Sequence, residues 1–277
     1  MKNFDMKRFG QVLKLDFAEG LKPMMWGALA MLLLYLFFFW FAHNIAFHND
    51  SYADIHANVM EMRIHTICEA VGMVGTAAMF IFFMISASTL YRSEQKKQKR
   101  IAWLMLPATN LEKFLARWVY LLVFSLVGGL LSFFVADLIH VAYLWMADYP
   151  VMAATGHFFG AFPHMSGDAV AGLWVNVLCV TWLYALLVAI HVFFLLGGVF
   201  FKKFHFIATA ATAVLLFAIW ATLFNGSGLY LYTNGIPRAL FYGGLTVIYS
   251  CCAVLFTWLA YRLFCRWQVV THKFVNL

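Results

Sequence analysis

The sequence predicts an all-α polytopic membrane protein, with six transmembrane helices, an N-terminal amphipathic interfacial helix and a short cytoplasmic helix between the second and third spans. Three observations predict it. Six apolar runs, Met24–Phe47, Ile67–Tyr91, Trp118–Met146, Ala169–Phe201, Phe206–Phe224 and Ala239–Phe264, each reach the roughly 18–20 residues that a helix needs to cross a bilayer. Seventeen of the nineteen Lys and Arg residues fall on one side of those runs, leaving only Arg63 and Arg238 on the other; the positive-inside rule makes the rich side cytoplasmic and places both termini there. Finally, 11% of the residues are charged and 64% hydrophobic, where a soluble domain carries about a quarter charged. Residues 1–277 therefore read as a single transmembrane domain.

Each element has its own signal. Over residues 1–23, Phe9, Val12, Leu13, Phe17 and Leu21 recur at helical spacing, with Lys7, Lys14 and Lys22 on another face. That pattern lays a helix along the membrane surface, and Pro23 is expected to break it before the first crossing. The first outer connection, His48–Thr66, is acidic and His-containing. The second, Ala147–Asp168, mixes Pro150, Gly156, Gly160 and Pro163 with Phe158, Phe159 and Phe162. It is too apolar for a free loop and too broken for a span, so a short helix packed at the outer interface is expected. Lys202 and Lys203 make a short inner turn between spans four and five, and Asn225–Arg238 is rich in turn residues.

The cytoplasmic segment 92–117 divides into a basic half and a half with a helix start. Thr109 followed three residues later by Glu112 is a capping box. Pro107 holds the entry extended, and Leu111, Phe114 and Leu115 supply an apolar face. A linker between two spans has no need of a capped, apolar-faced helix.

Several chemistries are missing. The chain has no phosphate-binding loop, so it is not expected to be an enzyme that hydrolyses ATP. No disulfide framework is implied by Cys68, Cys179, Cys251, Cys252 and Cys265, which lie within the apolar runs or at their ends. No cleavable leader is evident. The net charge of +7 comes from the cytoplasmic side, which suits anionic membrane lipid and does not imply nucleic acid. Neither a cofactor nor a metal is expected: His140 near the outer edge and His191 near the inner third do not lie at one depth, as a bis-His haem site would require. Glu69, Asp137 and Asn176 are polar positions within spans, costly in hydrocarbon, and therefore candidates for lining a pathway.

The stretch Pro107-Ala-Thr-Asn-Leu-Glu-Lys-Phe-Leu-Ala-Arg117 resembles the coupling helix of six-helix ABC-type exporter permeases. The basic amphipathic start, six spans and cytoplasmic termini are similar to that family's layout. The resemblance implies a bacterial inner-membrane, multi-pass permease subunit that exports a hydrophobic or amphipathic cargo. It would pair with a second permease chain, as homo- or heterodimer, and dock an ABC ATPase subunit that hydrolyses the ATP. It also implies that Pro107, Thr109, Asn110, Leu111, Glu112, Phe114, Leu115 and Arg117 contact that ATPase. The sequence departs from the family in its outer loops: the longer insert lies between spans three and four, not between five and six. An intramembrane enzyme or redox subunit, or a non-transport membrane scaffold, are the alternatives.

Overall fold

The computed structural model describes residues 4–47, 57–91, 97–160, 173–201, 204–224 and 237–266. Among them the secondary structure is helical throughout, with no strand. The helices are α1 (Met6–Ala46), α2 (Ala57–Thr89), α3 (Lys97–Leu104), α4 (Asn110–Met146), α5 (Thr155–Gly160), α6 (Leu173–Phe200), α7 (His205–Phe224) and α8 (Arg238–Cys265). Five of them, α1, α2, α4, α6 and α8, are long and apolar enough to cross a membrane. The 20-residue α7 has a shorter apolar stretch, His205–Ile219, among the described residues.

Two expectations about helix boundaries are corrected. Residues 1–23 do not form a separate surface helix, because α1 continues through Pro23 for 41 residues. A proline inside a helix forfeits one hydrogen bond and costs about 3 kcal/mol. Here Pro23 is exposed, and the buried face resumes beyond it: Val12 and Asp16 before, Met31, Tyr35 and Phe39 after. Likewise, the cytoplasmic helix expected near Thr109 is not free-standing. It is the first turns of α4, whose 37 residues run on without interruption because nothing after Glu112 breaks a helix. The basic segment before it holds a helix of its own, α3, which the sequence did not signal. At the other end, α2 begins at Ala57, ten residues ahead of the apolar run, and takes in part of the first outer connection.

The chain divides into two compact units: Met1–Lys14, Met84–Leu121 and Pro163–Leu277 form one, Leu15–Phe83 and Leu122–Phe162 the other. In the first unit α6 packs along α8 and against α7. Trp182 of α6 stacks over Tyr242 and Tyr249 of α8, with ring centroids 6.2 and 6.3 Å away, and Phe193 meets Phe256 edge-on at 5.4 Å. Gly197 and Gly198 permit close approach. A Cβ on Gly198 would lie 2.5 Å from the Ser88 carbonyl oxygen, and one on Gly197 would run into the Thr209 side chain of α7.

In the second unit, Met31, Tyr35 and Phe39 of α1, Ile64, Ile67 and Val71 of α2, and Phe133, Ala136 and Leu144 of α4 make one apolar core. The expected short helix in the second outer connection is α5, and it is strapped to that core. Phe158, fully buried, stacks on Phe133 at 4.0 Å. The Thr76 hydroxyl donates to the Phe158 carbonyl at 2.9 Å. Gly72 lets the strap sit this close: a Cβ there would come within 2.7 Å of His157 Cβ and 2.8 Å of its carbonyl carbon.

Candidate functional site

Two polar centres stand out, one in each unit. The first is built at the start of α4. Thr109 is the N-cap, its carbonyl accepting the first helical bond from the Lys113 N–H at 3.1 Å. The capping box closes in both directions: the Thr109 N–H donates to Glu112 Oε2 at 2.8 Å, and the Glu112 N–H donates to Thr109 Oγ1 at 3.3 Å. The other carboxylate oxygen looks away from its own helix. Glu112 Oε1 accepts the Asp5 N–H at 2.8 Å and Arg8 Nη2 at 3.0 Å. Asp5 is itself the N-cap of α1, its carboxylate accepting the Lys7 N–H at 2.9 Å. One carboxylate with no exposed surface therefore serves the starts of two helices, where the dipoles favour negative charge.

Aromatic rings complete this centre. Phe114, 1% exposed, lies against Tyr91, Tyr261 and Phe264 at centroid distances of 6.4, 5.6 and 5.7 Å. Trp103 of α3 meets Phe264 edge-on at 5.3 Å. Lys113 Nζ and the Arg117 guanidinium stand 5.7 and 5.4 Å from the centre of the Trp103 ring, within cation–π range.

This arrangement redistributes the sequence-derived contact residues. Glu112, Phe114 and Arg117 are buried inside the chain and Leu115 is half-buried, so most of the apolar face expected to dock elsewhere, Leu111 excepted, is taken up by the protein itself. Thr109 is half-buried and committed to the cap. Pro107, Asn110 and Leu111 are exposed. Met105, which sequence reading passed over, is the most exposed large apolar side chain of the turn between α3 and α4, at 80%. Its signal was its place, immediately before the Leu106-Pro107 pair that ends the helical pattern.

The second centre surrounds Asp137 of α4, 4% exposed. Its carboxylate caps α5, accepting the Ala154 N–H at 2.9 Å, the Thr155 N–H at 3.0 Å and the Thr155 hydroxyl. His140, one turn on, places Nδ1 3.9 Å from Asp137 Oδ1, an ion-pair separation too long for a hydrogen bond. The other edge of the His140 ring reaches His43 of α1, with 3.1 Å between the two Nε2 atoms. Both imidazoles line a cavity of about 530 Å³ whose walls include Phe39, Trp40, Asn44 and Tyr143.

Glu69 is half-buried on α2, and no hydrogen bond or ion pair joins it to Asp137 among the described residues. The side chain of Asn176, on α6, lies outside them. His140 finds its partner at His43 rather than at His191, while the Trp118 Nε1–H stands 3.5 Å from His191 Nε2. Sequence reading missed the His43–His140 pair because 97 residues separate its members. The usable signal was that both lie near the C-terminal ends of apolar runs, the first and the third. Compared with protein-family models, curated proteins and solved structures, the chain matches none.

Proposed function

We propose that this chain is the membrane-spanning permease subunit of an ABC-type exporter, with the α3–α4 turn as its contact to a separate ATPase subunit. The observation that carries the reading is the exposed turn Met105–Leu111 set directly in front of the buried Glu112 clamp. Met105 is 80% and Leu111 40% exposed, and Met105 directly follows the basic α3. An apolar knob beside lysines suits a groove with an acidic rim on a soluble partner. Because Glu112 binds the start of α1 as well as its own helix, a push on the turn would reach both helices together. In this reading α7 is the sixth span, both termini are cytoplasmic, and two permease chains, alike or different, sit in the bacterial inner membrane. The cargo would be hydrophobic or amphipathic and would move outward.

Purification of the full chain in mild detergent tests this. A nucleotide-hydrolysing ATPase subunit should co-purify, and Met105→Glu with Leu111→Glu should release it. Both side chains are exposed, so the pair should change stability by only about 0.5 kcal/mol each. Capture unaffected by the double substitution, or no ATPase with the native chain, refutes the reading in favour of a scaffold or an intramembrane enzyme.

A further inference from the structure

We propose that His43 and His140 together bind a divalent transition-metal ion such as Zn²⁺ or Ni²⁺, with Asp137 as the outer partner of His140. The inference is independent of the transport reading. Two imidazole nitrogens bound to one tetrahedral zinc at about 2.0–2.1 Å stand roughly 3.3 Å apart. Here the two Nε2 atoms are 3.1 Å apart, with ring planes inclined at 52°. Both histidines line the cavity, so an ion between them would have room nearby for water or a small anionic ligand.

The rings are held for this task. Phe39 stacks on His140 at 4.2 Å, Phe47 stacks on His43 at 5.8 Å, and Tyr143 meets His43 edge-on at 5.4 Å. Behind His140 stands the carboxylate of Asp137, itself fixed by the α5 backbone. That negative charge, 3.9 Å from His140 Nδ1, favours a cation held at the opposite edge of the ring. Haem does not suit the pair, because two axial imidazoles lie on opposite faces of the iron, about 4 Å apart. Among the described residues no third His, Cys, Asp or Glu joins the two histidines. The ion would therefore be held by two protein ligands and keep open positions, giving an exchangeable rather than a locked site.

The competing account of the 3.1 Å separation is a plain imidazole–imidazole hydrogen bond, and the experiment separates the two. The full chain, purified in detergent and stripped with a chelator, is dialysed against Zn²⁺ alone and Ni²⁺ alone. One equivalent should bind. His43→Gln should abolish that equivalent, and so should His140→Gln. Asp137→Asn should weaken it by about 10–100-fold. His140 is 3% exposed and its variant risks misfolding, whereas His43 is half-buried, so His43→Gln decides if His140→Gln fails to fold. Absence of a stoichiometric equivalent in the native chain overturns the proposal. So does an equivalent retained by His43→Gln, which would place the ion on other histidines.

Discussion

Removal of the Glu112 carboxylate tests the two-helix clamp most directly. Glu112→Ala takes away the acceptor of three donors: the Thr109 N–H, the Asp5 N–H and Arg8 Nη2. Losing its half of the capping box costs about 0.5–2 kcal/mol. Losing a hydrogen bond to a charged group costs about 1.5–3 kcal/mol. The Arg8 side chain keeps 25% exposure, so water recovers part of that second amount. A total of about 2–4 kcal/mol is expected, with Arg8→Ala alone costing about 1–2 kcal/mol. Because the two residues share one bond, the double variant should fall short of the sum by about 1 kcal/mol. The assay is the denaturant midpoint of the detergent-solubilised chain for the four members of the cycle, at unchanged denaturant slope. A coupling below about 0.3 kcal/mol would show that Arg8 and Glu112 are neighbours without a shared bond, and the clamp would be abandoned.

Two further outcomes follow from the geometry. Gly72→Ala should dislodge α5, since its Cβ would lie within 2.8 Å of the His157 backbone; overpacking of this kind costs about 1–3 kcal/mol, and raised protease sensitivity after Met152 would register it. In a cysteine-free background, single cysteines replacing Asp54, Ser166 or Ser227 should react with an impermeant reagent outside sealed cells, and those replacing Gln98 or Lys203 should not; labelling of position 98 from outside would invert the assigned orientation.

Local chemistry was legible and distant pairing was not. The Thr109–Glu112 box is written in four consecutive residues, and its hydrogen bonds form as the spacing implies. The helical insert after α4 was readable from aromatic residues interleaved with glycines, and α5 occupies part of it. Pro23 misled because its local penalty is fixed, whereas the buried face on either side of it extends over 41 residues and outweighs it. Phe114 misled for a different reason. An apolar side chain in a short polar connection needs a partner, and the sequence alone cannot show that Tyr91 and Phe264, 23 positions before and 150 after, supply it. Asp137 was marked by the cost of burying a carboxylate, yet that cost says nothing of which N–H groups meet it.

The clamp also imposes an order in time. Asp5 and Glu112 are 107 residues apart, so the N-terminal helix leaves the ribosome long before its acceptor exists. At about 5–20 residues per second the wait is roughly 5–20 s. For that interval Lys7, Arg8 and Lys14 lie on a basic segment to which anionic lipid is attracted. Only when Glu112 emerges can its carboxylate take the Arg8 guanidinium and the Asp5 N–H. A basic residue open to lipid in the newborn chain is thus later held at the junction of two helices in the finished one.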